Sequence, residues 1–413
     1  MQRQIIDLNE EVSALRGLHA AAALPRFAAL CFVLLAAFLP AVEKDIWRTS
    51  AGLLAGAAVA MLWAHCIERG WAWSIWLLTA VVLGMTVFGI IAAVEESRRE
   101  PLTETAKVAG GLLIILVPAW ILASRGWRGA RRRTKVSSSR DFWAPIPRDK
   151  RLRPALGAFA LAGMIYIAGA AAALAVAVAA GGHMLIGALV LLPVARLGGR
   201  AWTRGRRLLA LRVYEMRMKD TRAPVLLLRS FGDDNLPLEP RHHLLWFFHA
   251  AKEALTLEEF VVNQVWRIGP VVAIGNPREN LSPLGAARDY IDPADWQRRF
   301  DQYMNDSAYI VCVLGSTPGV RWEYEQLQAH SKQDRMLIVF PPRPLDELQR
   351  RWAVFQTLFE PAGTVDLQWQ PYIGAPLLAA FSPGGEARLY FSRNTNETAY
   401  RVAFERLASS QAQ

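Results

Sequence analysis

Apolar residues fall into two regimes along this chain. Before about residue 200 they form long, nearly unbroken runs, at 24–42, 50–66, 72–94, 108–124, 155–180 and 183–198. Beyond it they form short blocks between polar loops and stretches of helical period. About 20 apolar residues in a helix cross ~30 Å of hydrocarbon, so the long runs read as about six membrane spans. The run from Ala72 to Val94 carries no charge, and Pro40 ends the first run. Trp47, Trp71, Trp73, Trp76, Trp120 and Trp127 sit near run ends, where interfacial aromatics belong. Gly52 and Gly56 form a small-xxx-small pair suited to close helix contact. Ile5, Leu8, Val12 and Leu15 recur at helical spacing, which predicts an amphipathic helix in the segment 1–23, lying on the membrane surface.

Basic loops orient the runs. Arg125–Pro154 is dense in Arg and Lys against only Asp141 and Asp149, and Arg200, Arg204, Arg206, Arg207 and Arg212 follow the last run. The positive-inside rule places both on the cytoplasmic side. The N-terminus and the C-terminal half then fall inside too, and the acidic loop 95–107 outside. The expected organisation is an amphipathic segment 1–23, a transmembrane domain 24–198 with the basic loop 125–154, a juxtamembrane helix in 199–222, and an α/β domain 223–413 on the cytoplasmic face of the cell membrane.

In that last domain Val225–Leu228, Val271–Ile274, Tyr309–Leu314 and Met336–Phe340 are continuous apolar blocks, the signature of strands buried on both faces. Helical stretches alternate with them: about 240–266 with an interruption near Thr256, Asp292 to about Asn305, 322–331, 345–358 and 397–408. A further strand reads at Arg388–Phe391. The alternation predicts a doubly wound, mainly parallel sheet. Such sheets bind ligands beyond the carboxyl ends of their strands, at a switch in strand order. The loops 229–235, 275–285 and 315–322 therefore converge on the expected site.

Composition adds two constraints. The chain has 413 residues, is 53% hydrophobic and carries a formal net charge of +11. Much of that charge flanks the apolar runs, so anionic lipid headgroups, rather than nucleic acid, are the expected partner. Its three cysteines, Cys31, Cys66 and Cys312, have no metal-ligand spacing and form no disulfide framework. His65, His183 and Arg196 near run ends read as interfacial anchors, with a transport path as the alternative.

The first and third loops carry a recognisable order of residues. Ser230-Phe231 with Asp233-Asp234 closes the first strand. Asp306-Ser307-Ala308 leads into the third, and Ser316 begins a loop that runs to Trp322-Glu323-Tyr324-Glu325. In this order, over roughly residues 223–341, the chain resembles a Toll/interleukin-1 receptor (TIR) domain of the bacterial type. The family's catalytic Glu stands four residues after its Trp. Position 326 here is Gln, and Glu323 and Glu325 lie closer. A Trp-Glu pair after a Gly loop also resembles nucleoside deoxyribosyltransferases.

The TIR resemblance implies cleavage of the nicotinamide–ribose bond of NAD, as a substrate rather than a resident cofactor, through an oxocarbenium-like transition state that a carboxylate stabilises. Glu323 is the first choice for that carboxylate, with Glu325 as the alternative. Glu323 reads equally as a solvated first-turn acid favouring the helix dipole. Arg229, Ser230, Asp233, Asp234, Ser316 and Trp322 are the expected ligand-binding residues. Trp322 reads as a stacking platform or as core packing. Asp233 and Asp234 read as ribose or Mg²⁺ partners or as turn chemistry, and Arg229 as a phosphate contact or their ion-pair partner. No metal site is expected from spacing. The readings are a membrane-anchored TIR-like signalling or defence module that hydrolyses NAD or binds a nucleotide-like ligand, a non-enzymatic scaffold that self-associates through its TIR-like domain, and a small transporter or sensor.

Overall fold

A computed structural model describes residues 3–38, 46–97, 117, 119–129, 131, 152–179, 184–233, 235–239, 255–275, 282–292, 294–359, 373–381 and 387–411. The chain divides into two compact units. The first comprises Met1–Asn9, Ser139–Pro240 and Phe247–Gln413, and the second Glu10–Ser138 and Arg241–Trp246.

The first unit is built on one eight-stranded sheet in the order β1-β8-β7-β6-β5-β2-β3-β4. Its strands are β1 (Arg3–Asp7), β2 (Val225–Leu228), β3 (Val271–Gly275), β4 (Ala287–Tyr290), β5 (Tyr309–Val313), β6 (Met336–Val339), β7 (Ala375–Phe381) and β8 (Ala387–Ser392). The pairs β2–β3, β2–β5, β3–β4, β5–β6 and β1–β8 are parallel, whereas β7 runs antiparallel to β6 and β8. The sheet is therefore mixed, and its departure from the expected mainly parallel winding is the interior strand β7. Every residue of β2 and β6 is buried, as continuous apolar strands of an interior sheet must be. Pro376 cannot donate to the ladder, and the register of β7 shifts between Pro376 and Leu378, where that missing donor is accommodated.

The N-terminal segment is the expected helix only from Asn9 onward, and its first residues are a strand. Arg3–Asp7 is an edge strand paired in register with Ala387–Phe391, and Leu8 N–H donates to Phe391 O at 2.9 Å. Leu8, Val12 and Leu15 are buried, while Ile5 is half exposed.

Helices α1 (Asn9–Phe38), α2 (Ile46–Glu68), α3 (Ala72–Ser97) and α4 (119–129) follow. In the second unit Leu18, Ala21, Ala22, Ala64, Ile67, Ile75, Leu78, Val82, Ala119 and Ala123 form one shared core. A Cβ on Gly17 would meet Arg125 O at 2.7 Å, and one on Gly129 would meet Ala14 O at 2.6 Å, so glycine is what lets α1 and α4 cross in contact. Helices α5 (Leu152–Ala179) and α6 (Met184–Leu208) belong to the first unit. They pair closely where a Cβ on Gly198 would strike the Tyr166 ring.

Among the described residues no helix is long and apolar enough to cross a membrane. That finding corrects the expected membrane bundle, and with it the multi-pass place in the cell membrane with cytoplasmic termini. Among the described residues some of these helices carry charged turns, and part of their apolar surface is packed internally. The first turn of α1 holds Glu10 and Glu11, its middle Pro25, and α6 carries Arg196, Arg200, Arg204, Arg206 and Arg207. Counting apolar residues in a run does not reveal what they pack against. The transporter reading has no spanning helix among the described residues. Most of the basic loop 125–154, the loop 98–107 and the start of the run at 108–124 lie outside the described residues.

The expected juxtamembrane helix is two helices, α6 and α7 (Val213–Lys219), broken where Arg212 bridges Arg288 on β4. Five more helices are described in the first unit. They are α8 (Leu257–Val265), α9 (Trp296–Asp306), α10 (Pro318–Ala329), α11 (Leu345–Phe359) and α12 (Glu397–Gln411). Thr256, where an interruption was expected, is the N-cap of α8, and its hydroxyl accepts from Glu259 N–H at 3.1 Å.

Candidate functional site

The winding reverses between β2 and β5. From β2 the chain steps outward to β3 and β4, then returns to the other side of β2 for β5 and β6. The carboxyl ends of these two central strands border the crevice where such sheets place ligands. Arg229 and Ser230 follow β2, and Leu314, Gly315, Ser316 and Thr317 follow β5.

Arg229 and Ser230 are both buried. Arg229 Nε donates to Glu258 Oε2 at 2.8 Å. Glu258, in the first turn of α8, is also held by Arg288 of β4, at 2.6 Å to Oε1 and 3.0 Å to Oε2, and by Ala286 N–H at 3.0 Å. Burial by itself would raise the Glu258 pKa. The charges of Arg229 and Arg288, with these hydrogen bonds, instead hold it at about 2. Gly285 makes the approach of this loop feasible. Its φ is +137°, and a Cβ there would lie 2.5 Å from Glu258 Oε1.

Ser230 Oγ lies 3.4 Å from Thr317 Oγ1, which joins the two loops across the switch point. A Cβ on Gly315 would meet Ser230 Oγ at 2.6 Å, so the loops touch because that residue is glycine. Gly315 N–H donates to Tyr324 Oη at 3.2 Å, fixing the loop to α10. Ser316 and Thr317 are exposed on the rim with Phe231.

Glu323 stands in the second turn of α10. The residue is intermediate in exposure, but its Oε2 is sealed from solvent and has no hydrogen-bond partner. Burial pushes its carboxyl pKa up to about 8, against the opposing pull of Arg229. Burial, with the nearby Glu323, also pushes the Cys312 thiol up. The site thus pairs a fixed, buried guanidinium with a carboxyl that is mostly protonated at neutral pH. An ionisable group displaced this far, on the helix that follows the switch-point loop, is the kind of group that functional sites contain.

The other expected residues divide. Glu325 is exposed and lies 3.6 Å from Arg321 in an i,i+4 pair, away from the crevice. Trp322 packs edge-on against Trp296 and Phe300, with ring centroids 4.7 and 5.4 Å away, so its ring belongs to the α9–α10 contact. Asp233 is buried and ion-paired with Arg343 at 2.8 Å and Arg351 at 2.6 Å, and Arg351 also reaches Leu314 O and Glu347. This acid ties the β2 loop to α11. Asp234 and residues 276–281 of the second loop lie outside the described residues. Among the described residues no group of three or more His, Cys, Asp or Glu is placed to hold a metal ion.

Sequence reasoning missed Glu258 and Arg288. Glu258 looks like an ordinary first-turn helix acid. Arg288, in Ala287-Arg288-Asp289-Tyr290, makes β4 look like a polar loop. The available signal was Thr256 before Glu258-Glu259, a helix start that fixes which acids open α8. No family model, curated protein or solved structure matches the chain.

Proposed function

We propose that the switch-point crevice binds a nucleotide-like ligand and cleaves its N-glycosidic bond, with Glu323 as the carboxylate that faces the developing oxocarbenium ion. The single observation behind this reading is the Glu323 carboxyl itself, its Oε2 sealed from solvent and unpartnered and its proton affinity set against the charge of Arg229. The strand order β3-β2-β5-β6 supports it, since it follows the 2-1-3-4 winding of nucleotide-binding doubly wound sheets. It is also the reading that the TIR resemblance implies, with NAD as the substrate.

The chemistry suits a cationic leaving group. A bound nicotinamide ring carries a positive charge, which favours ionised Glu323, and the displaced proton passes to water. The C1′–N bond breaks with both electrons going to the ring, so nicotinamide leaves neutral. Water adds to C1′ and releases a proton, giving ADP-ribose. The carboxylate acts on the charge that develops at C1′ and needs no covalent step.

The test is nicotinamide release by the full chain incubated with NAD. Glu323→Gln should reduce the rate by more than ~10²-fold, the scale of losing one well-placed electrostatic group. For the unmodified chain kcat/KM should rise with pH towards about 8, as Glu323 ionises. An unchanged rate in the variant excludes Glu323. A second reading, a binding module without turnover, is favoured by the ion pairs that already occupy Arg229 and Asp233. NAD binding without nicotinamide release anywhere between about pH 5 and 9 would establish it.

A further inference from the structure

Glu258 does more in this fold than fill a buried position. Its carboxylate lies between two buried guanidinium groups that come from different strands, Arg229 beyond β2 and Arg288 in β4. Its hold on Arg229 is through Nε, at 2.8 Å, so the guanidinium is gripped at its inner nitrogen. Ala286 N–H and the Gly285 backbone close over the same carboxylate. The cluster of Arg229, Glu258 and Arg288 carries one positive charge in excess. Arg229 is the member whose charge acts on Glu323. The other titratable groups coupled to Glu323 are Cys312 of β5 and Tyr324 of α10, both neutral at ordinary pH because burial raises them.

We propose that Glu258 is a positioning residue for the switch-point site: by clamping and partly neutralising Arg229, it sets how strongly that cation acts on the Glu323 carboxyl. The inference rests on the reading of Glu323 as the reactive group. Its consequence is a division of labour within one charge cluster. Glu258 stays ionised at any ordinary pH and fixes the cation. Glu323 is left protonated until a ligand with its own positive charge arrives. Without Glu258 the charge of Arg229 acts on Glu323 uncompensated, and Glu323 ionises at a lower pH with the site empty.

The test does not require turnover, so it remains decisive if NAD cleavage fails. The stability difference between the full chain and its Glu323→Gln variant is measured by urea unfolding as a function of pH. That difference reports the ionisation of Glu323 and should level off near pH 8. The same comparison is made in the Glu258→Gln and Glu258→Asp backgrounds. With Gln at 258 the levelling point should fall by at least about one pH unit, a tenfold change in proton affinity. With Asp, which restores the charge, it should return towards 8. A merely structural role would lower stability in both backgrounds and leave the levelling point where it was, and that result overturns the proposal. If the Glu258→Gln chain does not fold, Arg229→Met replaces it. Removing the cation while Arg288 still pairs with Glu258 should move the levelling point up, and no movement overturns the proposal.

Discussion

Replacing Glu323 with Gln should make the chain more stable, by an amount that grows with pH. An unfolded glutamate titrates near 4.5, whereas in the fold its pKa is about 8. The fold therefore prefers the protonated form. Below pH 4.5 both states are protonated and the acid carries no penalty. Between 4.5 and 8 the unfolded chain ionises first and gains stability relative to the fold, so the native state loses about 1.4 kcal/mol per pH unit. At pH 7 the deficit approaches about 3 kcal/mol, and above pH 8 it levels near 5 kcal/mol, both as upper limits. Gln has nearly the same volume and no charge, so it removes this penalty. It retains an imperfectly paired amide, which costs on the order of 1–3 kcal/mol. The net gain expected at pH 7 is then about 0–2 kcal/mol, rising towards pH 8.5. Urea unfolding of both chains at pH 5, 7 and 8.5 measures it. A difference that is flat across this range, or one that favours the native acid as pH rises, refutes the reasoning and returns Glu323 to an ordinary surface acid.

Three more outcomes are expected. Glu258→Gln should cost about 3–5 kcal/mol at pH 7, because it leaves two buried guanidinium groups without their shared anion. In the unmodified chain that contribution should persist above pH 4.5 and be lost only as pH falls towards 2, which acid unfolding of the two chains can compare. Gly285→Ala should destabilise by more than ~1 kcal/mol in thermal denaturation, since it meets both a left-handed backbone and the Glu258 carboxylate 2.5 Å from its Cβ. Glu325→Gln should change stability by less than ~0.5 kcal/mol and leave nicotinamide release unaltered, because its pair with Arg321 is solvent-exposed.

Elements whose burial is written in one apolar block were legible. The blocks at Val225, Val271, Tyr309 and Met336 are β2, β3, β5 and β6. β8 was legible too, at Arg388–Phe391, but the charged strands β1 and β4 were not. β1 reads Arg-Gln-Ile-Ile-Asp and β4 Ala-Arg-Asp-Tyr, and each becomes a strand because a distant partner pairs with its backbone. β7 was hidden by Pro376 and a run of alanines. The long apolar runs misled in the opposite direction, since hydropathy records what a helix avoids and not what it packs on. At the site, loop order led to Arg229, Ser230 and Glu323. The charge that fixes Arg229 came from Glu258, which is remote in sequence and adjacent only through the sheet. Trp322 and Asp233, expected to touch a ligand, are engaged with Trp296 and Arg351.

The pairing of β1 with β8 imposes an order on assembly. Asn9 and Arg393, which meet just past the ends of these strands, are 384 positions apart. At ~5–20 residues per second the ribosome separates their synthesis by about 20–80 s. Throughout that interval Arg3–Asp7 is made but has no β8 to join, while β2, β3, β5 and β6 can pair once Val339 has been made, before β8 appears. The outer edge of the sheet is therefore closed after its centre, by a strand made hundreds of residues earlier than its partner. A chain stalled before Ala387 would hold an intact switch point and an unclosed edge. Nascent chains arrested at successive lengths should become protease-resistant around β2 and β5 well before Arg3–Asp7 is protected.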